Sequence, residues 1–154
     1  MSWERQRRPA LPRSPPRLKF PFAMAASPVL VDSSWYVRHF REGGDPLREL
    51  IPIALTRDVA TCGIVRCEVG RGIKNPALLR KFDARWDVMM YVPTDNKLWT
   101  EAEALLWKLD RQGLTLPLPD VVIACCARRI GAVILTHDGH FSQIPGIRAT
   151  DRIL

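Results

Sequence analysis

"VILTHDGHF", residues 133–141, runs three apolar residues into Thr-His-Asp and closes on Gly-His-Phe. "VLVDSSWYV", residues 29–37, does the same with Asp32. A short apolar run bounded by polar turn residues reads as a buried strand. A buried strand that ends on a carboxylate delivers a charge to the rim of a sheet, and two such strands suggest a shared destination.

Between these two strands the chain alternates. The β run Val29–Val31 leads into a helix capped near Ser33 or Ser34. "DPLRELIPIAL" (45–55) gives a second helix, ended or kinked around Pro52. Residues 61–73 and 75–86 read as two more helices, the latter with Pro76 in its first turn. "VMMYVP" (88–93) reads as a strand. The segment 95–113 is the strongest helix, with Leu98, Ala102, Leu105, Leu106 and Leu109 on one stripe and Gly113 at its end. Pro119 starts the helix "DVVIACCARRI", Gly131 releases the chain into the strand 132–135, and residues 146–151 offer a short last strand. Strands separated by helices require crossover connections, and so predict an α/β fold with a parallel sheet covered by helices.

At 154 residues the chain fits one domain. Its net charge of +7 is concentrated at one end, because residues 1–23 carry six Lys/Arg against one Glu. The remaining 131 residues carry 17 basic and 15 acidic side chains, so the body is nearly balanced. Residues 1–23 also hold five of the 13 prolines and show no periodicity. That composition predicts a disordered, dispensable basic extension, with the folded domain spanning 24–154 and Met24 as a natural translation start. No apolar run approaches the ~20 residues that span a bilayer, and no signal-peptide core is visible, so a cytoplasmic protein is expected. The cysteines at 62, 67, 125 and 126 have spacings that match no zinc template. They read as reduced, core-filling residues.

Four acids stand out. Asp32 follows its strand directly and Asp138 follows Leu135 by three residues, so both reach the carboxyl-end rim, where ligands bind in open α/β sheets. Glu68 lies four residues after Ile64 and shares an apolar face. Asp120 opens a helix that is otherwise almost wholly apolar. Each has an ordinary alternative: a helix cap for Asp32, a helix-dipole contact for Asp120, an ion pair with Arg66 or Arg71 for Glu68, a turn for Asp138. Together, four carboxylates aimed at one rim would repel unless a cation sits among them. An oxygen-only ligand set selects a hard cation such as Mg²⁺ or Mn²⁺. Such a cluster serves metal-assisted attack of water on a phosphodiester.

From about Val29 to Ile153 the chain resembles a PIN domain, and in particular the VapC-type toxins of bacterial toxin–antitoxin systems. The matching pieces are "VLVDSS", "CEVGRG", "LPLPDVVIACCA" and "ILTHDGHF", in that order. The resemblance implies a three-layer α/β/α fold with a small central parallel sheet, and Mg²⁺- or Mn²⁺-dependent endoribonuclease activity. It implies Asp32, Glu68, Asp120 and Asp138 as catalytic and metal-binding residues, with Ser33 and Thr136 in support. It also implies an RNA substrate, a small VapB-like antitoxin and a homodimer.

Trp35, Tyr36 and Phe40 lie within six residues, more rings than one helix face needs. They are either a partner surface or part of the core. Among the histidines, His137 reads as phosphate-facing or merely exposed, His140 as packing its turn with Phe141, and His39 as meeting the end of the first helix. None is placed in the site. The competing function is a PIN-like RNA-binding or scaffold module that has lost its chemistry, and that reading predicts a missing acid. A receiver-like phospho-acceptor domain would want paired acids before the first-strand aspartate and a late lysine, and a DNA-directed 5′-nuclease relative would want more acids and a longer chain.

Overall fold

The computed structural model describes residues 26–154. The expectations for residues 1–23 therefore lie outside the described residues. The chain forms β1 (Val29–Val31), α1 (Ser33–Arg41), α2 (Pro46–Glu49), α3 (Ile51–Ala54), β2 (Val59–Cys62), α4 (Gly63–Gly72), α5 (Pro76–Trp86), β3 (Met90–Val92), α6 (Asn96–Arg111), α7 (Leu118–Ile130), β4 (Val133–Leu135), a 3₁₀ turn (Gly139–Gln143) and β5 (Ala149–Thr150).

All strand pairs are parallel and the sheet order is β3-β2-β1-β4-β5. Parallel neighbours need right-handed crossovers. The first two crossovers step the same way across the sheet and the third returns past β1, so α6 and α7 lie on the face opposite the earlier helices. The α/β/α sandwich is therefore set by the order of the strands. Its switch point falls between β1 and β4, where Val31 is in register with Leu135. The carboxyl ends of those two strands open the crevice in which α/β sheets bind ligands.

One strand escaped the sequence. Residues 61–62 read as the start of a helix, yet Val59–Cys62 is a fully buried strand between β1 and β3. It runs into α4 with no turn residues between them, and four continuous apolar or small residues have no period that separates strand from helix. The helix of 45–55 is divided at Leu50, as Pro52 suggested, into two single turns. Asn75, Asp45 and Asp95 cap α5, α2 and α6 through their side chains, and Gly131 ends α7 at φ +64°.

The aromatic cluster of α1 is core. Tyr36 is fully buried, edge-on to Phe82 and Trp86 of α5 at 5.9 and 5.5 Å between centroids. Trp35 is buried with its ring on His39, and Phe40 is half-buried on Phe82. Tyr36 and Phe40 join α1 to α5, so the core alternative holds for the buried Trp35 and Tyr36, while Phe40 keeps a partly exposed face. Among the described residues the exposed aromatics are instead Tyr91 on β3 and Trp99 and Trp107 on α6. Cys62, Cys125 and Cys126 are buried as expected, but Cys67 is exposed on α4, so the core-filling assignment is corrected there.

Candidate metal centre at the strand ends

Asp32 is the residue at which β1 becomes α1. It is extended (φ −75°, ψ 152°), and its carboxylate caps the helix by accepting from the Ser34 amide at 3.2 Å. The same oxygen, Oδ2, accepts from Ser34 Oγ at 2.5 Å and from Thr136 Oγ1 at 2.9 Å. Only 2% of Asp32 is exposed, and a carboxylate that deep persists because three donors converge on it. Each hydroxyl has a single hydrogen. With both hydrogens given to Asp32, the 3.0 Å approach of Ser34 Oγ to Thr136 Oγ1 is a contact rather than a further bond. The free lone pairs accept instead: Ser34 Oγ takes the His137 amide at 3.1 Å and Thr136 Oγ1 takes the Asp138 amide at 2.9 Å. One hydroxyl pair thus fixes both the first aspartate and the turn that carries the last.

That turn folds back on itself. Asp138 caps the 3₁₀ turn by accepting from the His140 amide at 2.9 Å. The imidazole of His140 then lies across two acids, with Nδ1 at 2.7 Å from Asp120 Oδ2 and 3.0 Å from Asp138 Oδ1. Asp120 comes from the first turn of α7, between Pro119 and the buried run Val121–Ala127. The expected packing role of this turn is filled by Phe141, which is fully buried. His140 instead enters the acid site, a correction to its exclusion from the sequence.

The electrostatics follow from this crowding. Burial pushes the Asp120 carboxyl above its ordinary value, and the charges of Asp138 and Asp32 push the same way, while the His140 hydrogen bond opposes them. The imidazole of His140 is raised above its ordinary value, chiefly by the hydrogen bond to Asp120, against burial, with the charge of Asp138 adding to the rise. His137 moves the other way, lowered by burial and by the neighbouring charges of Arg38 and His39. Arg38 has only donors to offer, so at 3.2 Å His137 Nδ1 is the acceptor. His39 meets the interior of its own helix, with Nδ1 2.8 Å from the Trp35 carbonyl.

Glu68 reaches the rim from α4 and is held by Ser33, whose Oγ donates to Glu68 Oε2 at 2.6 Å. Among the described residues, the side chains that place ligand atoms within 4.8 Å of one another are Asp120, Asp138 and His140. Asp32 is tied to that trio through Thr136, which accepts the Asp138 amide, while Glu68 is held by Ser33, the residue after Asp32. The donor set of carboxylate oxygens and one imidazole nitrogen, at a rim where burial and neighbouring acids disfavour the charged form of Asp120, fits a divalent cation. A groove lined by Arg38, His137, Asp138, Ser142, Thr150 and Asp151 leads away from these acids.

Two members of the site were not singled out from the sequence. Ser34 carried only its helix-cap signal. His140 stands two residues beyond an Asp-Gly pair, and nothing in that spacing says that the ring turns back toward α7.

Comparison with known proteins bears on the family and the fold. The sequence model of the PIN domain matches residues 29–147. The comparison with curated proteins found no significant match. Among solved structures, the chain is similar to VapBC2 from Rickettsia felis bound to a promoter DNA fragment, at TM-score 0.66 and 20% identity over 80% of this chain and 97% of that one. A DNA-bound VapBC from Salmonella typhimurium gives TM-score 0.66 and 21% identity over 80% and 97%. VapC20 from Mycobacterium tuberculosis, a sarcin–ricin-loop-cleaving toxin, gives 0.57 and 17% over 76% and 95%. The chain belongs to the PIN domain family.

Proposed function

We propose that this PIN-domain chain is a Mg²⁺- or Mn²⁺-dependent endoribonuclease, the toxin of a VapBC-like toxin–antitoxin pair. The observation that carries the reading is the meeting of Asp32, Asp120 and Asp138. The end of β1, the first turn of α7 and the turn after β4 deliver carboxylates near enough that the charges of Asp138 and Asp32 act on Asp120, with Glu68 held by Ser33, the residue after Asp32. Retention of all four acids favours catalysis over a PIN-like module without chemistry. The similarity to toxins solved with their antitoxins and to an RNA-cleaving toxin supports the assignment.

Asp32, Glu68, Asp120 and Asp138 would hold the cation. A divalent ion there would polarise the scissile phosphate, activate water and stabilise the leaving oxygen. Thr136 and Ser34 keep Asp32 oriented, and Ser33 does the same for Glu68. An ionised carboxylate at the rim can take a proton from the attacking water. Arg38 and His137 flank the groove that admits the neighbouring nucleotides. The partners on this reading are a structured RNA, a small VapB-like antitoxin and a second copy of the chain. No helix among the described residues is long and apolar enough to cross a membrane, and the expected site of action is the cytoplasm.

The test is cleavage of small structured RNAs by the wild-type protein and by Asp32→Asn, each with Mg²⁺ and with EDTA. Cleavage that needs the metal and falls at least a hundredfold in the variant is expected, about 2.7 kcal/mol of transition-state stabilisation. Undiminished cleavage in EDTA would reject the mechanism.

A further inference from the structure

We propose that His140 supplies a nitrogen ligand to the cation site, beside Asp120 and Asp138, and that this donor shifts the site's preference from Mg²⁺ toward a first-row transition ion such as Mn²⁺. The inference rests on the metal-dependent nuclease reading and goes beyond the all-carboxylate ligand set.

Spacing is the first ground. In an octahedral site with metal–donor bonds of about 2.1 Å, adjacent donors stand roughly 3 Å apart. His140 Nδ1 lies 2.7 Å from Asp120 Oδ2 and 3.0 Å from Asp138 Oδ1, so the nitrogen already stands from each oxygen as a neighbouring ligand would, and the three residues offer atoms within 4.8 Å of one another. The ring N–H that holds the two acids together occupies the seat a cation would take.

Placement is the second ground. The His140 ring is not committed to the core: its side chain is 41% exposed, while Asp120 beneath it is 13% exposed. Its backbone is fixed, because the His140 amide is bonded to Asp138 Oδ1, and so the ring can stay over the acids when its proton gives way to a metal. Asp32 and Glu68 stand outside the trio, tied to Thr136, Ser34 and Ser33. Of the site's side chains, the atoms that share one seat include a nitrogen.

Chemistry is the third. Mg²⁺ favours oxygen donors and gives up its waters reluctantly. Imidazole binds first-row transition ions in preference to Mg²⁺, Mn²⁺ being the weakest binder of that series. A site with His140 in its ligand set should therefore separate Mn²⁺ from Mg²⁺ more strongly than carboxylates alone.

The experiment uses the full chain and Mn²⁺ as the probe. Pulsed EPR of the Mn²⁺-loaded wild type should show nitrogen coupling that changes on ¹⁵N-histidine labelling, which needs no substitution. His140→Gln should abolish that coupling, and His137→Gln should retain it. By calorimetry, the ratio of Mn²⁺ to Mg²⁺ affinity should fall about tenfold in His140→Gln, the scale of losing one ordering or ligating imidazole. Mn²⁺ bound by the wild type without nitrogen coupling, or coupling that survives His140→Gln, overturns the proposal and leaves a carboxylate-bound catalytic metal standing. A wild-type protein that binds neither ion overturns this proposal together with the metal-dependent reading.

Discussion

Thr136 Oγ1 donates to Asp32 Oδ2 across 2.9 Å, joining residues 104 positions apart that follow the adjacent parallel strands β4 and β1. Both groups are buried. Thr136→Val keeps the shape and removes one donor from a buried carboxylate, which costs about 1–3 kcal/mol. The Asp138 amide loses its acceptor in the same step. Urea denaturation should show the loss of stability and RNA cleavage should fall with it, whereas Thr136→Ser should restore most of both. A Thr136→Val protein as stable and active as wild type would remove Thr136 from the site.

Asp120 tests the repulsion among the acids. Its carboxyl sits above the ordinary value in the folded chain, so folding disfavours its ionised form. Relative to the unfolded chain, that penalty is complete above the folded-state pKa and relieved as pH falls toward the unfolded one. Asp120→Asn should therefore melt at the same or a higher temperature than wild type at neutral pH without metal, while RNA cleavage drops a hundredfold or more. A structural carboxylate would give the reverse, a lower melting point with cleavage intact.

The cap of α6 gives a pH prediction of opposite sign. The Leu98 amide and the Arg129 guanidinium hold the Asp95 carboxyl below its ordinary value. A depressed acid stabilises the fold above its unfolded pKa, and that contribution is lost as pH falls through the folded value. Melting temperature against pH should decline on the acid side for wild type, and the decline should be shallower in Asp95→Ala from a lower neutral starting point. Identical acid limbs would show that the cap contributes nothing.

For the proposed homodimer, α6 is the better surface. Trp99 and Trp107 are 41% and 62% exposed and lie eight residues apart, on one side of the helix, with Arg111 5.1 Å from the Trp107 ring. Large exposed aromatics on one face mark an association surface. Sedimentation of the wild type at micromolar concentration should report a dimer, and Trp107→Glu should shift it to monomer with its melting curve retained. A wild type that sediments only as monomer refutes the dimer.

Residues 1–23 carry charge and proline without periodicity, and cleavage should not need them. A chain starting at Met24 is expected to cleave RNA at the rate of the full chain and to share its melting midpoint. A clear loss of either would make that segment a working part.

The sequence by itself determined the alternation of strands and helices and which acids stand at their ends. Both are written locally, in apolar runs of strand length, in the stripe through Leu98, Ala102 and Leu109, and in carboxylates placed where such runs stop. Tertiary structure decided what local pattern cannot carry. β2 is four buried residues flowing directly into α4, too short and too uniform to show a period. The ring of Tyr36 fits an inner or an outer face equally well until α5 supplies Phe82 and Trp86. Ser34 and His140 joined the site because the β1–β4 switch point sets Ser34 against residues 136–137, and because the turn after β4 lays its histidine against Asp120. Those contacts depend on which strands are neighbours, a property of the closed sheet that no single stretch of chain contains.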